Sequence, residues 1–277
     1  MKKLLCLVCA VLMMVLCFAG CGNDADKKDD TSKADAVSTA KAEKITFTVG
    51  FDAEFPPYGY LDTDTNEYTG FDLVLAEEVC KRNGWELAKK PINWDSKDME
   101  LDSGTIDCIW NGFTMNGREE EYTFSKPYVD NSQVVVVRKD EIADLAGLAG
   151  KSVEVQKESS AEAALKGEDA TEENKALAES FKELVSVGDY NTALMDLESG
   201  ICDAVAMDIG VAQYKVAEND KLVMLDTPIA TEQYAIGFKK GNTELCDKVQ
   251  ATLDEMVKDG TFAKIAEEWG LSDSVCL

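Results

Sequence analysis

The sequence predicts an α/β protein of two lobes, each a mostly parallel sheet flanked by helices, with two strands crossing between them. Three observations carry this. A strand, loop and helix open the body of the chain near Ile45, the unit from which parallel sheets are built. A short string, Leu-x-Ser-Gly followed by two residues, an Asp and an apolar strand, occurs twice, at Leu101 to Asp107 and at Leu197 to Asp203. Between the copies lies an uninterrupted run, Val134-Val-Val-Val137, of the β-branched kind that forms a buried or lobe-crossing strand.

Taken in order, the chain starts with Lys2 and Lys3, an apolar run over residues 4–18, and Ala19-Gly20-Cys21. Charged, apolar and small-residue regions in that order describe a secretory signal peptide over residues 1–20. The run falls short of the ~20 residues that span a bilayer. The Phe-Ala-Gly-Cys ending resembles a bacterial lipobox, which implies that Cys21 is lipidated and becomes the first mature residue. Residues 21–44 are rich in Asp, Lys, Ser, Thr and Ala and hold few large apolar side chains. Such a stretch cannot offset its ordering entropy, so a flexible tether is expected.

Roughly 230 residues remain, enough for two modest lobes with their own cores. Ile45, Phe47, Val49 and Phe51 alternate with smaller residues and predict a strand. The next segment, Asp52-Ala-Glu-Phe-Pro-Pro-Tyr58, is expected to be a loop whose prolines prevent regular pairing. Phe71, Val74, Leu75 and Val79 are spaced for a helix over residues 70–82. Another helix is predicted to end at Gly104, with a strand over residues 106–110; Gly104 and Gly200 suit left-handed helix ends. Residues 45–137 form the first part of lobe 1 and residues 138–228 form lobe 2, with helices near residues 160–165 and 174–184. Residues 229–277 make the second crossing and return to lobe 1, finishing on helices over residues 244–258 and 261–269 broken at Gly260. Neither lobe is large enough to enclose a ligand alone, so the crevice between them is the natural site.

Composition excludes several function classes. The formal charge is -25, and the basic stripe that a nucleic-acid partner needs is missing. There is no histidine, and the five cysteines after Cys21 (Cys80, Cys108, Cys202, Cys246, Cys276) include no Cys-x-x-Cys pair. No metal site, no histidine-based catalytic centre and no cofactor are therefore expected. Buried free thiols are expected, since Cys108 and Cys202 fall inside strand-like runs.

Several stretches carry a resemblance: Val49-Gly-Phe-Asp-Ala-Glu-Phe-Pro-Pro-Tyr58, Gly70-Phe-Asp-Leu73, Ser103-Gly-Thr-Ile-Asp107, Asn111-Gly-Phe-Thr-Met, Phe124-Ser-Lys-Pro-Tyr128 and Asp259-Gly-Thr-Phe-Ala-Lys-Ile265. Over the whole mature body they resemble the polar-amino-acid-binding proteins of ABC importers, family 3 of the bacterial extracellular solute-binding proteins, with the type II periplasmic-binding fold. The resemblance implies an extracytoplasmic, membrane-anchored monomer that binds an amino acid and delivers it to the transmembrane permease subunits. Carried over residue by residue, Arg118 matches the arginine that holds the ligand's α-carboxylate in a bidentate fork. Asp208 matches the aspartate that accepts the α-ammonium. Asn111, Gly112 and Thr114 match the loop that completes the carboxylate site, and Ser159 and Ser160 match lobe 2 residues that open a helix toward the ligand. Asp52, Phe55 and Trp94 match the pocket for the ligand side chain, where Asp52 favours a cationic or amide-bearing amino acid.

Two positions depart from the family pattern. The segment between Thr114 and Arg118 is one residue short, and Glu158 stands where glycine is usual. The implied mechanism is hinge closure around a zwitterion, with no chemistry on the ligand. Two other readings use the same fold: an enzyme like the periplasmic prephenate and arogenate dehydratases, with Glu158 or Glu54 as its acid, and a sensor that reports the ligand to a partner.

Overall fold

The computed structural model describes residues 44–277. The signal peptide, Cys21 and the tether therefore lie outside the described residues.

The described chain opens on β1 (Thr46–Phe51), whose Phe47, Val49 and Phe51 are buried. A small antiparallel sheet follows, made of β2 (Glu54–Phe55), β3 (Gly59–Asp62) and β4 (Glu67–Thr69). This corrects the expectation that the 52–58 segment cannot pair: Pro56 and Pro57 occupy the turn between β2 and β3, where no ladder hydrogen bond is asked of them. Helix α1 (Phe71–Asn83) lies where its apolar spacing puts it. Strand β5 (Glu86–Pro91), helix α2 (Lys97–Asp102) and strand β6 (Cys108–Ile109) come next, with β5 and β6 parallel to β1 on either side. Strand β7 (Tyr122–Phe124) lies at the other edge of this sheet.

Strand β8 (Val129–Arg138) then enters a second sheet with β9 (Ser152–Gln156), β10 (Glu183–Val187), β11 (Ala204–Asp208) and β12 (Leu222–Met224), in the order β10-β9-β11-β8-β12. Helices α3 (Ser160–Lys166), α4 (Glu172–Ser180), α5 (Tyr190–Ser199) and α6 (Ile209–Glu218) belong to this lobe. The chain returns along β13 (Ala230–Tyr234), which pairs with the first half of β8, and adds β14 (Gly237–Lys239) between β6 and β7. It ends on α7 (Thr243–Asp259) and α8 (Thr261–Glu268), broken at Gly260. Each of the two large sheets has parallel strands at one side and antiparallel strands at the other.

The four valines of the 134–137 run are buried on both faces of the second sheet, which is why they do not alternate with polar residues. Val135 and Val137 face a core with Val153, Val155 and Leu165. Val134 and Val136 face Tyr190, Leu197 and Met207. One expectation fails: a helix over residues 174–184 was predicted, but α4 stops at Ser180 and β10 begins at Glu183. Strand β10 is a sheet edge with three of its five residues exposed, so its apolar signal is weak.

The repeated string does the same work twice. Gly104 and Gly200 adopt φ of 74° and 80°, after α2 and α5 respectively. The Asp107 carboxylate accepts the Thr48 N–H at 2.7 Å, and Asp203 accepts the Ser152 N–H at 3.0 Å. In each lobe the aspartate N–H also donates back to that residue's carbonyl at 2.8 Å. Cys80, Cys108, Cys202 and Cys246 are buried free thiols, and Cys276 is free and exposed.

Candidate functional site

The loop after β6 carries most of the lobe 1 side of the crevice. Gly112 sits at φ 56°, and a Cβ there would come within 2.8 Å of the Tyr234 ring and 2.9 Å of Phe55, so only glycine fits. Its N–H donates to the buried Asp72 carboxylate at 2.6 Å. Asp72 belongs to the Gly-Phe-Asp stretch of α1 and fixes the loop from beneath. Burial pushes its carboxyl up to about 7.

Around one narrow cavity, the structure brings together Phe55, Trp94, Gly112, Thr114 and Arg118 from lobe 1 with Gln156, Ser159, Ser160 and Asp208 from lobe 2. Arg118 reaches it despite the shortened segment, because Gly117 at φ 79° closes a turn in which the Arg118 N–H donates to the Met115 carbonyl. Its guanidinium donates to the Thr114 carbonyl at 3.0 Å and the Ser160 hydroxyl at 3.1 Å, and lies 5.1 Å from the Phe113 ring centroid. Among the described residues no carboxylate lies within ion-pair distance of it. A half-buried guanidinium held by neutral acceptors retains its appetite for an anion.

Asp208 ends β11 and is 4% exposed. Although it precedes α6, its side chain does not cap that helix. It instead accepts hydrogen bonds from Gln133 (2.6 Å), Tyr234 (2.6 Å), Asn131 (2.9 Å) and Tyr190 (3.0 Å). Burial raises its pKa, and the four donors offset part of that rise. Glu232 on β13 stands beside it and accepts from Asn131, Gln133 and Thr114. Its pKa is raised too, first by burial and then by the Asp208 charge.

Ser159 caps α3, its hydroxyl accepting the Glu162 N–H at 3.1 Å, while Ser160 meets Arg118. Phe55 packs at 6.0 Å from Tyr190, and Trp94 packs edge-on to Phe113 at 5.6 Å. Two of the expected residues stand one step back from the cavity. Asn111 accepts the Asp52 N–H at 2.8 Å, and Asp52 accepts from the cavity-lining Gln156 at 2.6 Å. Burial raises the Asp52 carboxyl, partly opposed by the Glu54 N–H and Gln156.

Glu158 takes φ 62°, the left-handed conformation that glycine would adopt without strain. Its carboxylate is half exposed and lies 3.6 Å from Lys97, outside the cavity. Its carbonyl accepts from Trp94 at 3.3 Å. Glu54 accepts from Asn191, whose carbonyl oxygen accepts from Lys215 at 2.8 Å. Lys157 pairs with Asp95 at 2.9 Å. These contacts join the lobes around the rim. Sequence reasoning missed Gln156, Tyr190, Tyr234, Asn131, Gln133, Glu232 and Asp72. For Asn131 and Gln133 a signal existed: they are polar residues two apart at the start of a strand that continues as valine.

Residues 47–272 match the model of the bacterial extracellular solute-binding proteins, family 3. The chain belongs to that family. It is 31% identical over 272 residues to the L-cystine-binding protein TcyA of Bacillus subtilis (strain 168), covering 97% of each chain. An ancestral arginine-binding protein bound to arginine superposes with a TM-score of 0.72 at 35% identity, over 81% of this chain and 97% of that one. A substrate-binding protein of an ABC uptake transporter from Streptococcus pneumoniae, with bound histidine, gives 0.73 at 32% identity, over 81% and 92%. These relatives are binding proteins by their names. Among the described residues no helix is long and apolar enough to cross a membrane.

Proposed function

We propose that this chain is the substrate-binding component of an ABC importer. It captures a polar amino acid between its lobes by hinge closure and hands it to the permease, as a monomer lipid-anchored at Cys21 on the extracytoplasmic face. The observation that carries the reading is the pairing of opposite charges across one small cavity, Arg118 from lobe 1 and Asp208 from lobe 2. A zwitterion spanning them makes contacts in the closed form that the open form lacks, and only such differential contacts shift a conformational equilibrium. Its relatives bind cystine, arginine and histidine by their names, all of them amino acids with extended polar side chains.

Among the described residues Arg118 is the one cationic residue lining the cavity, whose lining also includes Phe55, Trp94 and Gln156, with Asp52 behind Gln156. That balance favours a cationic or amide-bearing side chain over an acidic one, with the aromatic faces available to a guanidinium. Glu54 and Glu158, the acids an enzyme would call on, are engaged at the rim and do not line the cavity.

Thermal-shift and calorimetric titration of the purified protein against the common amino acids and cystine test this. A ligand at about a thousand times its Kd adds ~4 kcal/mol to folded stability, and each kcal/mol moves the midpoint by roughly 2–4 °C for a chain this size. One or a few polar amino acids should produce that shift, and Arg118→Ala should weaken them by about a hundredfold or more through the loss of charge-assisted hydrogen bonds. A protein that responds to no amino acid, or an R118A variant that binds like the parent, sinks the reading.

A further inference from the structure

The residues behind the cavity form an arrangement that the charge pairing alone does not require. In the strand register Gln133 lies opposite Asp208 on one side of β8, and Asn131 lies opposite Glu232 on the other. Asn131 and Gln133 are two apart and so share a face of β8. The Asn131 amide nitrogen lies 2.9 Å from Asp208 Oδ1 and 2.7 Å from Glu232 Oε1; the Gln133 amide nitrogen lies 2.6 and 2.7 Å from the same two oxygens. Each amide has two N–H groups, and both are used. The two amide oxygens, Asn131 Oδ1 and Gln133 Oε1, are buried without a partner. Flipping either amide would set its oxygen against two carboxylates, so the charges fix the orientation despite that cost.

The buried Thr114 hydroxyl lies 2.8 Å from the same Glu232 oxygen. A hydroxyl has one proton and an ionised carboxylate accepts only, so Thr114 must donate to Glu232. Toward the cavity it lines, Thr114 then offers lone pairs alone. Asp208 offers the same, and every hydrogen bond it makes is with a neutral donor.

We propose that Glu232 is a positioning residue of the ammonium subsite: by taking the Thr114 proton and holding the Asn131 and Gln133 amides, it makes that end of the cavity accept-only, so the site selects a protonated amino group over a neutral hydroxyl. Glu232 does not line the cavity and acts through Thr114 and Asp208. The inference rests on the amino-acid reading above. It also accounts for two carboxylates beside one buried amide pair: a cation bound between them relieves their mutual repulsion. Both carboxyls titrate above their ordinary range, so acid protonates the pair and weakens binding. The other titratable or charged groups facing them are Tyr190 on α5, Tyr234 on β13, Tyr58 from lobe 1, and Asp130, Asp273 and Arg118 along the adjoining clefts.

The test is calorimetry on the intact protein with L-arginine, L-histidine and L-cystine, and with counterparts of the bound ligand in which hydroxyl replaces the α-amino group, from about pH 5 to 8. The parent should prefer amine over hydroxyl strongly. Glu232→Gln should lower that preference by about tenfold, the size of one charge-assisted hydrogen bond, and should move the acid loss of binding to lower pH. Thr114→Val should reduce the preference similarly with Glu232 intact, and adding E232Q to it should change the preference little further. Thr114→Ser should keep the preference. If E232Q fails to fold, T114V against T114S still decides. Equal weakening of amine and hydroxyl ligands, or an unchanged pH profile in E232Q, overturns the proposal and leaves the amino-acid reading standing. A parent that binds none of the three, nor any other common amino acid, overturns both.

Discussion

Asp72 sits 0% exposed among aromatic side chains, and its carboxylate accepts the Gly112 N–H. Its other oxygen, the Trp110 indole N–H and the Tyr128 hydroxyl are buried together without a well-formed hydrogen bond, and the two donors offset only part of the rise that burial causes. With its carboxyl pushed up to about 7 against an ordinary 3.8, the folded chain holds this proton more tightly than the unfolded chain. Between those limits the folded state carries more protons, so stability falls as pH rises through the window. The effect is at most about 4 kcal/mol. The melting midpoint should therefore climb between pH 7.5 and 5.5. Asp72→Asn should flatten the climb without abolishing it, since Asp52, Asp208 and Glu232 are raised as well. An equally steep climb in D72N would refute the account. At this scale Arg118 and Asp208 were reached through the family resemblance, and both line the cavity. Asn131, Gln133 and Glu232 were not reached: their roles arise from strand register, which places Asn131 opposite Glu232 across about a hundred residues of chain.

Among the elements, the twice-used Ser-Gly string was the clearest message in the sequence, and each copy ends in the same pair of hydrogen bonds between an aspartate and the adjoining strand. The αL glycine is needed for its backbone and not for space, since a Cβ at Gly104 or Gly200 would meet nothing within 4 Å. Gly200→Ala should thus cost about 1 kcal/mol in chemical denaturation, the price of a left-handed alanine alone. A neutral result would mean that the α5 terminus relaxes elsewhere. What the sequence concealed was pairing that depends on partners. Strand β10 exposes most of its residues, and β2 and β3 meet around two prolines, so neither advertises itself through local apolar period.

For the molecule as a whole, contacts between the lobes fall into two sets. Arg118 and Asp208 face the cavity, whereas Lys157–Asp95, Lys97–Glu158 and Glu54–Asn191 lie on its rim. The exposed Lys157–Asp95 pair is worth a fraction of a kcal/mol to about 1 kcal/mol and weakens with salt. Lys157→Ala should speed ligand release up to about fivefold in stopped-flow measurements, by the same factor for every amino acid bound. A factor that varies with the ligand would place Lys157 in recognition instead.

Rim contacts favour the closed form whatever it encloses, and cavity contacts favour it only for some cargoes. On the proposed mechanism, rim residues add to dwell time without touching selectivity. A cell meeting scarcer nutrients could lengthen the dwell by changes at the rim while the list of accepted cargoes stays as it was, and salinity outside the membrane would tune turnover in the same ligand-blind way.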